Sequence, residues 1–328
     1  MEEKAKKLST ESYKGVRDFY PEDMAVQNYI FSTWRKIVEE AGYQEYEASI
    51  LEYADLYRSK GNDEIVNDQM YLFKDKGDRE VALRPEMTPS LARMIAAKRR
   101  GLKLPLRWYS IPNVFRYERP QRGRKREHWQ LNCDLIGVPG IEGDVEIISL
   151  AHKTMREFGA KDEDFIIRVN DRKLFDEIFE EIGGCSSSTR KEVIRLVDAQ
   201  EKIDNFKDEL TRNLGEEKKE RFLELLNGKK TTKNLDNLKN ELNSRGINNV
   251  VIDTNIARGF DYYTGIVFEA FDTNTENRRS LFGGGRYDNL LEMFGVEPVA
   301  IVGFGIGDVT VRDFLESHNL PLTISKKL

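Results

Sequence analysis

The segment 128–137 constrains the fold of this chain more than any other, because polar and apolar residues alternate along it with the period of a β-strand. The apolar face comprises Trp129, Leu131, Cys133 and Leu135. The opposite face comprises Gln130, Asn132 and Asp134. Alternation alone favours a polar face that is exposed to water. A polar strand face of this kind can also bind a small polar ligand.

An arginine-rich segment precedes this strand. The sequence RYERPQRGRKRE (116–127) contains five arginines and one lysine against two glutamates, in a chain whose formal net charge is −5. Residues 107–117 also have the pattern of a strand, so we expect two antiparallel strands joined by a basic loop. The planar guanidinium of arginine is suited to phosphate binding and to phosphoryl chemistry. A solvated hairpin, or a patch that binds an RNA backbone, explains this composition equally well.

The remaining periodicity predicts an α+β fold. Apolar residues have helical spacing over 22–42, 89–100 and 144–158. Further strands are predicted at 80–84, 165–169, 249–253, 263–271 and 299–306. We therefore predict a predominantly antiparallel sheet that is flanked by helices.

The composition changes between residues 172 and 248, where Lys, Glu, Asp and Asn are abundant and the apolar residues have helical spacing. We interpret 172–248 as a mostly helical inserted domain. It would divide the sheet domain into a first part, residues 1–171, and a second part, residues 249–328.

Composition also bounds the compartment and the cofactors. No stretch approaches the run of about 18 apolar residues that a membrane helix requires, and MEEKAKKLSTES at the N-terminus lacks the apolar region of a secretory signal. The two cysteines and three histidines do not have the spacing of a zinc site or a disulfide framework. We expect a cytoplasmic protein with no membrane partner and no metal held by a cluster of its own side chains.

Two further motifs are candidates for a functional site. ARGFDYYTG (257–265) places an arginine, an aspartate and two tyrosines before a strand, where tyrosines are usually packing residues. GGGRYD (283–288) contains a glycine triplet, which allows close approach of the backbone to a ligand but usually indicates a loop. GFGIGD (303–308) lacks the third glycine of a dinucleotide-binding fingerprint.

Taken together and in this order, these motifs resemble those of the histidyl-tRNA synthetases. The matching segments are KGVRDFYPED (14–23), LRPEMT (83–88), FRYERPQRGRKREHWQ (115–130), ARGFDYYTGIVFEA (257–270) and FGGGRYDNL (282–290). The resemblance extends to about Leu315 and implies the fold of a class II aminoacyl-tRNA synthetase. It further implies a homodimer that activates histidine with ATP and Mg²⁺ to histidyl-adenylate and pyrophosphate, and then transfers histidine to tRNA(His).

The resemblance also implies roles for individual residues. The implied histidine-binding residues are Glu86, Thr88, Gln130, Asp134, Tyr262, Tyr263 and Tyr287. Glu86, Thr88 and Gln130 would bind the α-amino group, whereas Asp134, Tyr263 and Tyr287 would surround the imidazole. The implied ATP-binding residues are Arg116, Glu118, Arg124 and Arg258. Arg116 and Arg258 would be the catalytic pair that stabilises charge at the α-phosphate from opposite sides.

The chain departs from the family pattern in three places. Ser49 replaces the proline of class II motif 1, and Thr310 replaces the motif 3 arginine that packs over ATP, with Arg312 two residues further on. Family members continue beyond motif 3 with a domain that reads the tRNA anticodon, whereas this sequence stops about a dozen residues later. We expect either a shortened piece of a longer protein or a natural short paralogue.

Two other functions are compatible with parts of the sequence. The regulatory subunit of ATP phosphoribosyltransferase resembles the synthetase core, binds histidine and lacks the anticodon domain. Its members usually lose parts of motif 2 and the ATP-site arginines, which are intact in ERPQRGR and ARGFDYYTG. A separate RNA-binding module would explain the basic loop but would leave Glu86, Gln130, Asp134 and Arg258 without a role.

Overall fold

The computed structural model describes residues 8–59, 65–200, 203–228, 231–257, 262–274, 277 and 280–323. Its strands are β1 (Gln44–Glu45), β2 (Leu51–Tyr53), β3 (Tyr71–Lys74), β4 (Glu80–Leu83), β5 (Leu106–Ser110), β6 (Asn113–Phe115), β7 (Glu127–Ile136), β8 (Phe165–Asp171), β9 (Val250–Ile252), β10 (Ile266–Asp272), β11 (Ser280–Arg286) and β12 (Ile301–Gly307). Its α-helices are α1 (Pro21–Glu40), α2 (Ala54–Arg58), α3 (Thr88–Lys98), α4 (Ile141–Glu157), α5 (Lys173–Glu181), α6 (Ser187–Ala199), α7 (Phe206–Leu214), α8 (Glu216–Gly228), α9 (Lys233–Ser244) and α10 (Asp308–Ser317). A π-helical turn covers Ile65–Gln69, and a 3₁₀ helix covers Leu290–Phe294.

The described strands form one large and one small sheet. The large sheet has the order β1-β5-β7-β12-β11-β10-β8-β9, with β6 paired to the outer part of β7. Its neighbours are antiparallel except for the pairs β1–β5 and β8–β9. The small sheet has the order β2-β4-β3 and is antiparallel. The prediction of an α+β fold with a mostly antiparallel sheet is confirmed.

The strand register gives the large sheet two different faces. One face is apolar and packs against α1, α4, α9 and α10 in the main core. Its central members include Leu131, Cys133, Phe268, Val302 and Phe304, all of which are buried. Because side chains alternate along a strand, the intervening residues of β7, β12 and β11 lie on the opposite face. That second face carries the polar side chains of β7 and the glycines Gly283, Gly285, Gly303 and Gly305.

Helix α1 shows how the sequence determines one layer of this core. Pro21 stands in the first turn, where its missing N–H leaves no intrahelical bond unmade, and Glu22 and Asp23 lie near the positive end of the helix dipole. Ile30, Trp34 and the other buried side chains recur at helical spacing, so one face of the helix covers the sheet. Full burial of an aliphatic side chain of this kind contributes about 1.5–3 kcal/mol.

The predicted insertion is helical, and most of it has its own core. Buried side chains of α5, α6, α7 and α8 pack together, centred on Phe175, Phe179 and Phe222, and Ala257 joins them. Helix α9 differs, since Leu235, Leu238 and Leu242 belong to the main core. The boundaries 172–248 stay a prediction, although the separate packing shows which helices form a unit.

The glycine triplet is not a loop. Gly283, Gly284 and Gly285 lie within β11, in the middle of the large sheet. A Cβ atom on Gly284 would stand 2.1 Å from the carbonyl oxygen of Gly303 on the neighbouring strand. Glycine normally weakens a strand because of its conformational entropy. Here close packing between the strands excludes a side chain, and the sequence pattern alone does not reveal that packing.

None of the described helices is both long enough and apolar enough to cross a membrane.

Candidate active site

The polar face of β7 faces a cavity. Gln130, Asn132 and Asp134 point to the same side as Gly305 and Gly303 of the paired strand β12. Asn132 and Asp134 are only 8% and 4% exposed, so the expectation of a solvated face is wrong. Other parts of the chain cover this face, and alternation within one strand cannot predict such cover.

Glycines form the floor of this cavity because the polar side chains lie directly across them. A Cβ atom on Gly305 would stand 2.2 Å from Nε2 of Gln130. A Cβ atom on Gly303 would stand 2.5 Å from both Oδ1 of Asp134 and the hydroxyl of Tyr287. Both separations are shorter than any real contact of a Cβ atom. The glycines of GFGIGD therefore make room for site residues and do not form a dinucleotide loop.

This cavity has a volume of about 110 Å³. Its lining includes all seven residues that the sequence predicts to bind histidine, namely Glu86, Thr88, Gln130, Asp134, Tyr262, Tyr263 and Tyr287. Arg116, Asn132 and Phe304 also line it, together with Gly283, Gly303 and Gly305. The structure therefore brings residues from five separate sequence motifs into one enclosed space.

Glu86 enters the cavity from the turn between β4 and α3. Arg84 fixes this turn from within the protein, since its Nε donates a hydrogen bond to the carbonyl of Asn113 (2.7 Å) and its Nη1 donates one to the carbonyl of Ala48 (2.8 Å). Oε2 of Glu86 accepts a hydrogen bond from the hydroxyl of Tyr262 (3.3 Å), whereas Oε1 is buried without a hydrogen-bond partner. Burial raises the pKa of Glu86 to about 7, although the positive charge of Arg116 opposes this rise. An incoming cation would satisfy Oε1.

Asp134 is the second buried carboxyl group of the cavity. The hydroxyl of Tyr287 donates a hydrogen bond to its Oδ1. Burial raises the pKa of Asp134 to about 7, and the hydrogen bond from Tyr287 partly opposes the rise. The rings of Tyr262, Tyr263 and Tyr287 lie beside it with centroids 5.0–6.1 Å apart. A carboxyl group beside an aromatic wall is suited to a flat ring that carries N–H donors.

A larger cleft of about 730 Å³ adjoins the cavity. The two share Arg116, Gln130, Gly283 and Gly305 in their linings. The cleft also contains the predicted ATP-binding residues Glu118 and Arg124, whose carboxylate oxygen and Nε are 3.4 Å apart. Further cationic side chains in its lining are Lys125 and Arg168, and further carboxylates are Asp198, Asp253 and Glu269. This charge distribution fits a polyanion that carries a cation.

The arginines of the loop 116–126, which we call the arginine loop, do not act as one group. Arg116 and Arg124 line the cleft, and Nε of Arg116 donates a hydrogen bond to the carbonyl of Pro85 (2.9 Å). Arg126 is buried, and its guanidinium lies over the ring of Tyr117 at 3.9 Å. Nε of Arg122 lies 3.9 Å from Oδ2 of Asp313 in α10. Charge counting along the sequence could not separate these roles.

His128 is one of the cleft residues that sequence reasoning did not single out. It lies on β7 beside Gln130 and lines the cleft together with Gly307 and Thr310. Burial, together with the nearby positive charges of Arg116 and Arg17, lowers the pKa of His128 to about 3. Its imidazole is therefore neutral at physiological pH. The sequence signal for His128 was its position two residues before Gln130, which places both side chains on the same face of the strand.

The departure at motif 3 has a clear geometry. Thr310 lines the cleft, and its hydroxyl lies 2.9 Å from the carbonyl oxygen of Leu281 and 3.0 Å from that of Gly307. Arg312 does not replace the missing cation, because it pairs with Asp23 and Glu316 away from the cleft lining. Arg258, the other predicted catalytic arginine, lies outside the described residues, and its role stays a prediction.

In the described part of the chain, no group of three or more His, Cys, Asp or Glu side chains is placed to hold a metal ion.

Comparisons with known proteins identify the relatives of this chain. A family model described as histidyl-tRNA synthetase matches residues 15–307. Curated histidine-tRNA ligases are similar along nearly the whole chain, including one from Leptospira biflexa (45% identity over 97% of this chain and 76% of the relative) and one from Thermoplasma volcanium (39% identity, 98% and 78%).

Solved structures share the fold at lower identity. The apo histidyl-tRNA synthetase of S. aureus aligns with a TM-score of 0.67 at 24% identity, over 98% of this chain and 74% of that one. A protein from Bacillus halodurans described as an ATP phosphoribosyltransferase regulatory subunit/histidyl-tRNA synthetase aligns with a TM-score of 0.79 at 24% identity, over 94% of this chain and 84% of that one.

Proposed function

The chain belongs to the histidyl-tRNA synthetase family, and from this premise we propose that its small cavity binds histidine and its larger cleft binds ATP. Its function is that of a histidine-tRNA ligase, a class II aminoacyl-tRNA synthetase. It activates histidine with ATP to histidyl-adenylate and pyrophosphate, and then transfers histidine to tRNA(His). The alternative of a regulatory subunit is not favoured, because the relatives with 36–45% identity are histidine-tRNA ligases.

The histidine cavity would recognise both ends of its ligand. Glu86, Thr88 and Gln130 would bind the α-ammonium group, and Oε1 of Glu86 is the buried oxygen without a hydrogen-bond partner. Asp134 would accept a hydrogen bond from the imidazole, which would lie beside Tyr262, Tyr263 and Tyr287. A pocket built for hydrogen bonds rejects ligands that leave its buried groups unpaired, which gives selectivity against other amino acids.

The two buried carboxyl groups support this assignment. Each has a pKa of about 7 in the empty cavity because burial opposes ionisation. A bound ammonium group next to Glu86 would lower the pKa of that carboxyl group and favour its charged form. Ligand binding and ionisation are therefore coupled, so the pocket gains its strongest interactions only when histidine is present.

Adenylation would take place where the two cavities meet. The histidine carboxylate attacks the α-phosphorus in line, a bond forms between a carboxylate oxygen and phosphorus, and the bond to the pyrophosphate oxygen breaks. Arg116 lines both cavities, so its fixed positive charge would stabilise the negative charge that increases at the α-phosphate. Glu118 and Arg124 would bind the rest of the nucleotide, and Arg258 would approach the α-phosphate from the other side. No side chain needs to act as a covalent nucleophile.

The remaining partners follow from the cleft. We propose that ATP enters as its magnesium complex, because Glu118 and Glu269 offer the carboxylate oxygens that Mg²⁺ prefers. Helix α6 contributes Val197 and Asp198 to the wall of the cleft, which supports a role of the insertion near the acceptor end of tRNA. ATP and tRNA are cytoplasmic substrates, so we propose the cytoplasm as the site of action.

We further propose that the protein is a homodimer whose second copy covers the small sheet. Leu51, Tyr53 and Phe73 share one face of this sheet by register, and they are 50%, 58% and 44% exposed. Exposed apolar side chains that adjoin one another indicate an interface. Sedimentation should show a dimer that the substitution Phe73→Asp converts to monomers. A monomeric unsubstituted protein at micromolar concentration would contradict the proposal.

The observation that carries the function is the shared lining of the two cavities at Arg116 and Gln130. The experiment is histidine-dependent exchange of labelled pyrophosphate into ATP, with the other amino acids as controls. Exchange with histidine alone is the expected result. A folded protein that binds histidine but catalyses no exchange would instead support the regulatory-subunit function.

A further inference from the structure

The N-terminal motif KGVRDF has no role in the proposed site, yet it lies directly against the arginine loop. We call residues 13–19 the strap. The strap contacts the arginine loop at Arg126 and Pro120. It also contacts Trp129 and Asp308, whose neighbours in the chain line the ATP cleft. The strap therefore joins two elements whose relative position determines the shape of the cleft.

The first contact holds Arg126. The backbone N–H of Arg126 donates a hydrogen bond to the carbonyl of Gly15 (2.7 Å), and Nη1 of Arg126 donates one to the hydroxyl of Tyr13 (2.9 Å). The guanidinium lies 5.4 Å from the centre of the Tyr13 ring and 3.9 Å from that of Tyr117. Arg126 is thus enclosed between two tyrosines and is not part of the cleft lining.

The second feature is the close approach at Gly15. Its φ is +90°, a conformation that favours glycine. A Cβ atom at this position would stand 2.8 Å from Cγ of Arg126 and 2.8 Å from Cγ of Pro120. Both atoms belong to the arginine loop, at its two sides. Any side chain on residue 15 would therefore push the loop away from the strap.

The third contact fixes the strap to the first residues of β7 and of α10, next to residues that line the cleft. Nη2 of Arg17 donates a hydrogen bond to Oδ2 of Asp308 (2.8 Å). Oδ1 of the same carboxylate accepts a hydrogen bond from the backbone N–H of Trp129 (2.9 Å). The ring of Phe19 packs edge-on against Trp129 with centroids 5.4 Å apart. Trp129 stands between His128 and Gln130, which line the cleft. The strap thus holds the start of β7 as well as the arginine loop.

Two backbone hydrogen bonds connect the strap to Arg116 through Arg126. The carbonyl of Arg126 accepts a hydrogen bond from the backbone N–H of Arg116 (2.9 Å). Arg126, which the strap holds, therefore also aligns Arg116, which lies where the two cavities meet. We propose that Tyr13 and Gly15 are positioning residues for ATP, which keep Arg116 and Arg124 directed into the cleft. This inference rests on the proposed function, because the ligand of the cleft is taken to be ATP.

The substitution Gly15→Ala tests the inference, and Gly42→Ala is its matched control. Gly42 also has a positive φ, +82°, but no atom lies within 4 Å of the Cβ position. Both variants therefore carry the same kind of backbone strain, whereas only Gly15→Ala displaces the arginine loop. In pyrophosphate exchange we expect the KM for ATP to rise about tenfold or more in Gly15→Ala, with the KM for histidine within about twofold of the unsubstituted protein. Gly42→Ala should leave both constants unchanged.

A second readout does not depend on activity. Trypsin cleaves after Arg122, Arg124 and Lys125, all within the arginine loop, whereas Pro120 protects the bond after Arg119. Cleavage of this loop should be about tenfold faster in Gly15→Ala than in Gly42→Ala. Tyr13→Ala, at a position that is 58% exposed, should have the same effects in a variant that retains its fold. Tyr13→Phe should fall between Tyr13→Ala and the unsubstituted protein, because the ring remains.

The outcomes separate the two proposals. Absence of exchange in the unsubstituted protein would contradict the proposed function alone, since the trypsin comparison would still report on the strap. Equal loop cleavage in Gly15→Ala and Gly42→Ala would overturn the positioning role. An equal rise in the KM for ATP and for histidine would also overturn it, because that result indicates general damage to the fold.

Discussion

The substitution Asp134→Asn should stabilise the empty protein and weaken histidine binding at the same time. Asp134 is buried and has a pKa of about 7, raised from 3.8 by burial. A carboxyl group whose pKa is raised in the folded state contributes stability below its unfolded pKa and loses that contribution as the pH rises through the folded value. Asparagine has a similar shape, retains an oxygen for the Tyr287 hydroxyl and cannot ionise.

The magnitude follows from the pKa. A difference of about 3 units between about 7 and 3.8 corresponds to about 4 kcal/mol, at about 1.36 kcal/mol per unit. At pH 8 the ionised Asp134 therefore destabilises the empty protein by about 4 kcal/mol relative to a neutral side chain. At pH 5 the carboxyl group is protonated in the folded protein but ionised in the unfolded chain, so Asp134 still destabilises the folded protein by about 2 kcal/mol relative to a neutral side chain. Asp134→Asn should raise the free energy of unfolding more at pH 8 than at pH 5.

The assay is urea unfolding at the two pH values, paired with the KM for histidine in pyrophosphate exchange. Loss of a charged hydrogen bond to the imidazole should raise this KM tenfold or more, since such bonds contribute about 1.5–3 kcal/mol. Glu297→Gln, which changes an exposed carboxylate, is the control and should alter neither quantity. A stability gain that is equal at pH 5 and pH 8 would refute burial as the cause, and an unchanged KM would remove Asp134 from the histidine site.

Three further substitutions, together with one control variant, test other parts of the site. Gly305→Ala places a Cβ atom 2.2 Å from Nε2 of Gln130, so the displaced amide should raise the KM for histidine at least tenfold, whereas an unchanged KM would place Gln130 away from the ligand. Arg258→Ala should abolish adenylate formation while circular dichroism shows an intact fold, and near-normal exchange would contradict its catalytic role. Arg124→Ala should raise the KM for ATP about tenfold, whereas Arg312→Ala removes only surface ion pairs worth about 0–1 kcal/mol and should leave that KM within about twofold. Equal effects of these last two variants in the same exchange assay would refute the assignment of the cleft.

The sequence predicted the elements of the fold well where periodicity was strong. Helix α1 and strand β7 lie where the apolar spacing places them, because each buries one face against a large core. The glycine triplet was harder to place. Its strand conformation depends on contact with β12, and a sequence pattern within β11 contains no information on that neighbour.

The site was predicted mainly through the family motifs. Alternation along β7 correctly grouped Gln130 with Asp134, but it favoured water as their surroundings. The cover comes from Glu86 and the tyrosines, which are distant in sequence and approach only in the folded chain. Charge counting gave the arginine loop one role, whereas the structure separates Arg126, enclosed by tyrosines, from the arginines that line the cleft.

The residue His128 and the strap show where sequence reasoning ended. Histidine at a strand position has many structural uses, and only its burial beside Arg116 identifies it as a neutral wall of the cleft. The KGVRD motif matched the family without any indication of mechanism. Its meaning depends on backbone contacts to Arg126, which side-chain chemistry alone cannot reveal.

The most direct test of the account is a crystal structure of the protein with a non-hydrolysable analogue of histidyl-adenylate. We predict that the imidazole lies against Asp134 and Tyr287, that the α-ammonium group contacts Glu86, and that the group replacing the phosphate lies at Arg116. An analogue bound with its imidazole outside the small cavity, or with its nucleotide outside the cleft lined by Arg124, would contradict the central claim.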